Sequence, residues 1–106
     1  MKSVITDQTE YCFFCGDYAT QEHHLIFGAF GSGRNFAERH GLKVPICVRC
    51  HTASESLGCR IHDNPMAEHL SKMFGQALYE REMILKGQTL EEAQTKMIAE
   101  NGKLYY

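Results

Sequence analysis

The chain has 106 residues, of which 43% are hydrophobic and 23% are charged, and its net charge is −2. This length predicts a single domain, 1–106, with a modest hydrophobic core. The near-neutral charge excludes the strongly basic character of proteins that coat nucleic acid non-specifically, but it is compatible with a local basic groove. The N-terminal stretch "MKSVITDQTEYCFF" has neither a long apolar core nor a cleavage pattern, so we expect a cytoplasmic protein with no membrane partner.

The first half of the chain predicts a strand, a loop and a returning strand. After an irregular lead-in, "EHHLIF" is typical of a strand, and the glycine-rich "GAFGSGRN" predicts a loop. The next segment, "FAERHG", predicts a short helical turn that ends at its glycine. "LKVPIC" predicts the second strand, and we expect a helix to begin within "CVRCHTASESL". The two strands therefore form a hairpin-like pair.

A long helix is predicted next. Asp63 or Asn64 can cap it, with Pro65 in its first turn, and the helical pattern continues up to Gly87. Several apolar residues follow helical spacing, and we expect them to face the core: Met66, Leu70, Met73, Phe74, Ala77, Leu78 and Leu85.

A second helix is predicted to follow it. It begins with a capping box, in which Thr89 and Glu92 each hydrogen-bond to the other's backbone N–H. It ends near Asn101, with Gly102 as its stop. No repeat and no long linker separates these helices from the first half of the chain.

Four of the five cysteines form two C-x2-C pairs, "CFFC" and "CVRC". In a cytoplasmic chain, such pairs are more typical of metal ligands than of disulfides. Two matched pairs predict a tetrahedral structural Zn2+ site with four ligands: Cys12, Cys15, Cys47 and Cys50. A redox motif or packed thiols are the alternatives. Cys59 lies outside the pattern and is expected to be a free thiol.

The histidines are arranged around these cysteine pairs. His23 and His24 are adjacent in the first predicted strand, where neighbouring side chains point to opposite faces. They are therefore expected to have different roles. His51 directly follows the second cysteine pair, so a zinc ion bound by both pairs would hold it near that strand. His40 and His69 are expected to be ordinary surface or core residues.

The order of these motifs resembles the HNH endonuclease superfamily, particularly small phage and prophage nucleases. The resemblance extends from Cys12 to about Glu80 and rests on "CFFC", "EHHLIFG", "GLKVPIC", "CVRCH" and "IHDNP". It implies an α+β fold with a zinc-stabilised ββα-metal (His-Me finger) nuclease core over 12–62, followed by a C-terminal helical part over 63–106. It also implies hydrolysis of DNA phosphodiester bonds and a phage or prophage origin.

The resemblance also implies a role for individual residues. In the family, the first strand holds a metal ligand followed by a histidine general base, which here are His23 and His24. The residue after the second cysteine pair, His51, is a further ligand, and His62 is the candidate that completes the site. The ion would be a divalent cation such as Mn2+, Mg2+, Ni2+ or Zn2+. Independently of the resemblance, Glu22 is a candidate to orient an imidazole, with a solvent-facing carboxylate as the alternative.

The sequence departs from the family pattern at two positions. The first ligand of the family is commonly aspartate, whereas here it is His23. Leu42 falls where the family has an asparagine, and Asn35 is a candidate to replace it from the loop. Arg34 and Arg39 flank the site and are candidates for contacts with DNA phosphates, with a solvated surface charge as the alternative for each.

A second class of function stays open on the sequence alone. The same four cysteines could form a non-catalytic zinc module that binds DNA or a protein partner. The near-neutral charge and the missing asparagine favour this alternative. The His-His pair and His51 argue against it, because a zinc module has no use for them. The sequence leaves the oligomeric state and the preferred DNA structure open.

Overall fold

The computed structural model of the protein describes three ranges of the chain: 1–28, 31–53 and 61–106. Within them, the strands β1 (Gln21–His24) and β2 (Lys43–Ile46) form a small antiparallel sheet, with the first residue of β1 opposite the last residue of β2. Strand β1 is shorter than predicted because the chain bends after it, although the Leu25 N–H still donates to the Leu42 carbonyl (2.9 Å). Three α-helices accompany this sheet, which confirms the α+β class.

Helix α1 (Ser32–His40) connects the two strands and begins inside the segment predicted as a loop. Gly33, in its first turn, lies against the backbone of Phe27, where an added Cβ would be 2.9 Å from the carbonyl carbon. Glycine is therefore needed here for a close approach within a helix, and the loop prediction is wrong for the last four residues of "GAFGSGRN". Gly41, with a φ of 68°, ends the helix as predicted.

Two short helical turns follow the sheet. A π-helical turn (Arg49–Ala53) carries His51, and a 3-10 turn (Ile61–Asp63) carries His62. The helix predicted to begin in "CVRCHTASESL" is represented by the π-helical turn. Residues 54–57 of that segment lie outside the described residues, and so does Cys59, which was separately predicted to be a free thiol.

Two longer helices complete the described structure, and both begin at predicted caps. Helix α2 (Pro65–Leu85) starts after Asn64, whose side-chain oxygen accepts hydrogen bonds from two N–H groups of the first turn. Helix α3 (Leu90–Asn101) starts with the capping box between Thr89 and Glu92. Local spacing thus determines where these helices begin.

Helix α2 buries a different face from the one predicted. Five of the seven residues expected in the core are exposed: Met66, Leu70, Phe74, Ala77 and Leu85. The buried residues are instead Ser71, Gly75, Gln76, Tyr79, Glu80 and Met83. Gly75 permits close packing, since an added Cβ would lie 2.7 Å from the Cγ1 of Ile26. Gln76 and Glu80 are satisfied by the C-terminal tail, where the Tyr105 N–H donates to Gln76 (2.6 Å) and the Tyr106 hydroxyl donates to Glu80.

Two hydrophobic clusters form the core of the described residues. The larger one joins the segment that follows β1 to all three helices and contains Ile26, Phe36, Ala37, Leu42, Tyr79, Met83, Ala93 and Met97. The smaller one contains Cys12, Ile46, Cys47, Cys50 and Ile61. Three of the paired cysteines therefore belong to the smaller cluster. Among the described helices, none combines the length and the apolar character needed to cross a membrane.

Candidate active site

The four cysteines of the two C-x2-C pairs converge on one point. Their sulfur atoms lie within 4.8 Å of one another. The sulfurs of Cys15 and Cys47 are 3.5 Å apart, much farther than the ~2.0 Å of a disulfide bond. The first pair is joined to β2 by a hydrogen bond from the Phe13 N–H to the Pro45 carbonyl (2.9 Å). Four thiols held in this way can bind a metal ion such as zinc.

The surroundings of the sulfur atoms favour a bound cation. Burial opposes ionisation of Cys12, but backbone N–H groups, among them those of Cys47 and Cys15, lower its pKa to about 7. Burial and the neighbouring thiols raise the pKa of Cys50. Ionisation is therefore favoured at Cys12 but opposed at Cys50, so ionisation of both thiols needs a compensating positive charge. A Zn2+ ion supplies that charge, so the residues fit a zinc site.

The structure also brings together the three histidines predicted to bind the catalytic ion. His23 lies on β1, while His51 and His62 lie on the two short helical turns. One ring nitrogen from each histidine lies within 4.8 Å of the other two. The ring centroid of His23 is 5.3 Å from each of the others. Because Cys50 directly precedes His51, the cysteine cluster and the histidine cluster are neighbours.

The charge states and orientations of these imidazoles suit metal binding. The Nδ1 atom of His51 donates to the side-chain oxygen of Gln21 (2.8 Å), which leaves Nε2 for other contacts. The Nε2 atoms of His51 and His62 are 2.8 Å apart. Burial, followed by the proximity of His62 and His51, lowers the pKa of His23 to about 3, and burial also lowers the pKa of His51. Both rings are therefore neutral near pH 7, the form in which histidine binds metals.

One buried nitrogen of His23 has no hydrogen-bond partner within the described residues. The Nε2 atom of this ring lies 2.9 Å from the hydroxyl of Ser71, whereas the nitrogen without a partner is Nδ1. A buried polar atom without a partner is costly, and a bound ion would satisfy it. The three nitrogen donors fit a divalent transition metal ion.

His24 lies outside this cluster and contacts a carboxylate instead. Its Nε2 atom is 2.8 Å from Oε2 of Glu38, a residue of α1. Lys43 lies 3.0 Å from the same oxygen and 3.3 Å from Oε1 of Glu22. The hydrogen bond from His24, followed by that from Lys43, lowers the pKa of Glu38 to about 2, so this carboxylate is ionised at neutral pH. Glu38 is therefore the carboxylate that hydrogen-bonds to His24, while a carboxylate oxygen of Glu22 lies within 4.8 Å of a nitrogen of the same ring.

One cavity of about 270 Å3 adjoins both sets of histidines. The described residues that line it are Glu22, His23, His24, Phe27, Arg34, His51 and His62. Arg34 is exposed there and makes no ion pair within the described part of the chain. Arg39 instead lies 3.4 Å from Glu100 of α3, and neither Arg39 nor Asn35 is among the described residues that line the cavity. The structure therefore brings Arg34 to the site but not Arg39.

A larger cavity of about 810 Å3 lies between the N-terminal segment and β2. Its lining includes Lys2, Glu22 and Lys43, but none of the described cysteines or histidines. Size alone therefore does not identify the site. The smaller cavity is the candidate active site because it contains groups that can bind a metal ion and move a proton.

Comparisons with known proteins assign no family to this geometry. The chain matches no protein-family model, no curated protein and no solved structure. The candidate site therefore rests on the residues themselves.

Proposed function

We propose that the protein is a metal-dependent DNA endonuclease of the HNH type, with a ββα-metal nuclease core over 12–62 and a C-terminal helical part over 63–106. The observation that carries this proposal is the grouping of three imidazoles around one point, with a fourth imidazole held by a carboxylate on the same cavity. A structural metal site needs neither the fourth imidazole nor an open cavity. Phosphodiester hydrolysis needs a metal site and a base side by side.

The first part of the proposal is a structural Zn2+ bound by Cys12, Cys15, Cys47 and Cys50. This ion would fasten the first cysteine turn to the segment that follows β2. Since His51 comes directly after Cys50, zinc binding would also fix the position of one imidazole of the active site. Folding and site assembly are coupled in this way.

The second part is a divalent ion bound by His23, His51 and His62. When bound, such an ion supplies Lewis-acid stabilisation to the scissile phosphate and to the departing oxygen. Imidazole ligands favour Mn2+, Ni2+ or Zn2+ over Mg2+. The replacement of the family's usual aspartate by His23 shifts the preference further in that direction, because a neutral ligand suits a hard ion less well than a carboxylate does.

The third part is general-base catalysis by His24. The Glu38 carboxylate can only accept a hydrogen bond, so Nε2 of His24 carries the proton and Nδ1 carries the lone pair. Nδ1 takes a proton from the attacking water, whose oxygen forms the new bond to phosphorus as the bond to the leaving oxygen breaks. The ionised Glu38 stabilises the imidazolium that results, and Lys43 holds that carboxylate in place.

Two further residues complete the proposal. Arg34 lines the cavity without an ion-pair partner in the described residues, so its guanidinium is available to a DNA phosphate. Leu42, at the family's asparagine position, is fully buried. Its N–H donates to Ala37 and its carbonyl accepts from Leu25, both at 2.9 Å. Backbone hydrogen bonds therefore hold this position without an asparagine side chain.

Plasmid cleavage tests the proposed function. Zinc-loaded protein is incubated with supercoiled plasmid and Mn2+, Mg2+ or no added ion, and an EDTA control is run beside them. We expect nicked or linear DNA with Mn2+ and little without it. A folded protein that binds DNA but leaves the plasmid supercoiled under every condition would favour the non-catalytic zinc module instead.

A further inference from the structure

Ser71 connects the C-terminal helical part to the histidine cluster. It lies on α2 and is buried, with an exposed fraction of 7%. One turn farther along the helix, Gly75 packs so closely against Ile26 and Leu25 that a Cβ there would clash. This close packing brings the hydroxyl of Ser71 within reach of both β1 and the residue that follows it.

The hydrogen bonds of Ser71 determine which nitrogen of His23 carries the proton. The Ser71 hydroxyl donates to the Leu25 carbonyl at 2.8 Å. A hydroxyl has one hydrogen, so it can only accept at its second contact, which is Nε2 of His23 at 2.9 Å. Nε2 of the neutral ring must therefore carry the proton. It follows that Nδ1 carries a lone pair.

The surroundings of His23 hold this nitrogen in place. The ring is 1% exposed, and Phe14 and Phe27 contact it edge-on with centroid distances of 6.3 and 5.6 Å. Nδ1 is buried and has no partner within the described residues, while His51 and His62 lie beside the same ring. In the opposite tautomer, Nδ1 would carry the hydrogen. The lone pair on Nε2 would then face a lone pair of the Ser71 hydroxyl oxygen.

We propose that Ser71 is a positioning residue that fixes His23 in its Nε2–H tautomer and so presents Nδ1 to the divalent ion. The effect of this tautomer on metal binding rests on the proposed function, whereas the tautomer itself does not. His51 is oriented by a neighbour on β1, Gln21, but His23 is oriented by a residue 48 positions away in sequence. Helix α2 thus supplies a positioning residue of the site.

Nitrogen NMR of the imidazoles tests the tautomer directly. In zinc-loaded protein without a second ion, we expect His23 to show a protonated Nε2 and an unprotonated Nδ1. Ser71→Ala should lose this fixed pattern, and Ser71→Thr should keep it because threonine retains the hydroxyl. Ser3→Ala is the matched control, since Ser3 also donates to a backbone carbonyl (Lys43, 2.6 Å) but contacts no imidazole.

Titration with Mn2+ or Co2+ tests the consequence. Residues that orient metal-bound histidines typically contribute roughly 10–100-fold to metal affinity, and we expect a loss of that size in Ser71→Ala but not in Ser71→Thr or Ser3→Ala.

A wild-type His23 protonated on Nδ1, or a folded Ser71→Ala protein with unchanged tautomer and affinity, would overturn the inference. A fixed Nε2–H tautomer in a wild-type protein that binds no second ion would support the role of Ser71 and overturn the proposed function. Should Ser71→Ala not fold, the wild-type tautomer and the Ser71→Thr titration still decide the matter.

Discussion

The cysteine cluster and the histidine cluster meet at Cys50 and His51, yet the two are built differently. The thiols come in two pairs from two turns, and three of them pack with Ile46 and Ile61 in a hydrophobic cluster. The imidazoles come from three separate elements and border a cavity of about 270 Å3. A cavity of about 550 Å3 also borders the first cluster, at Cys15 and Cys50, but its described lining is mainly apolar. The described lining of the cavity at the second cluster is mainly imidazole and charged groups.

This difference separates the roles that the two clusters can have. Four protein ligands complete a tetrahedral site and leave no position for a substrate, whereas three ligands leave a position open. We therefore expect changes to the thiols to affect folding and changes around the imidazoles to affect chemistry. The following substitutions test that division.

Loss of a thiol ligand should have the largest effect. Metal binding contributes on the order of 10 kcal/mol to folding in isolated zinc modules, so Cys12→Ser should lose the bound zinc and become insoluble or melt at a much lower temperature. Metal analysis and thermal melting measure both effects. Cys59→Ser, outside both cysteine pairs, is the control and should retain zinc. A zinc-free Cys12→Ser protein with the wild-type melting temperature would show that the thiols are packing groups.

Loss of the general base should have the second-largest effect, and it should leave the zinc site intact. General-base catalysis is typically worth about 10²–10⁴ in rate, so His24→Ala should lose cleavage by that factor while it keeps its zinc and its affinity for Mn2+. His23→Ala should instead weaken Mn2+ binding, because it removes a ligand. Single-turnover cleavage and metal titration distinguish the two variants. Wild-type cleavage by His24→Ala would remove this residue from the mechanism.

Loss of one imidazole ligand should be partly reversible. His51→Ala removes a donor from the open site but leaves His23 and His62 in place, so the affinity for the divalent ion should fall. We expect cleavage to recover at least in part as the Mn2+ concentration is raised. The measurement is the cleavage rate as a function of Mn2+ concentration. An unchanged Mn2+ dependence would show that His51 is only a surface residue.

The two arginines should differ although they lie on the same helix. Arg34 lines the cavity, whereas Arg39 is paired with Glu100. Arg34→Ala should weaken DNA binding and reduce the slope of its salt dependence by about one, as expected for the loss of one phosphate contact. Arg39→Ala should bind like the wild type. Equal effects of the two substitutions would contradict the assignment of Arg34.

The smallest effect should come from the carboxylate that orients the base. The folded pKa of Glu38 is about 2, below its ordinary value of 4.5, so its pairing stabilises the folded state above pH 4.5 and is lost as the pH falls towards 2. Because the Glu38 side chain is 44% exposed and solvent screens its pairing, Glu38→Gln should melt only slightly below the wild type at pH 7. Melting curves at a series of pH values should show the difference narrowing below pH 4.5. A difference that stays constant down to pH 3 would argue against an ionised pair.

Several features that the sequence predicted correctly depend on local spacing. The cysteine pairs, the Asn64 cap and the capping box from Thr89 are each defined by residues a few positions apart, and the structure contains all of them. Glu38 and Ser71 could not be found in this way. Their contacts with His24 and His23 span 14 and 48 residues, and no motif marks either position.

The buried face of α2 was unpredictable for a related reason. Apolar spacing favours the face that contains Leu70 and Phe74, yet the helix buries Gln76 and Glu80. These polar side chains are satisfied by hydrogen bonds from the C-terminal tail and from Gln94, which lie far away in sequence. A prediction from apolar spacing takes no account of hydrogen-bond partners that only the tertiary structure provides.

Anomalous diffraction from crystals of zinc-loaded protein soaked in Mn2+ tests most directly whether the chain has two different metal sites. Data collected at the zinc and manganese absorption edges distinguish the two ions. The two-site arrangement predicts zinc among Cys12, Cys15, Cys47 and Cys50, and manganese among His23, His51 and His62 with one side open to the cavity. Crystals in which the thiols hold no zinc, or in which the histidines stay free of metal at saturating Mn2+, would contradict it.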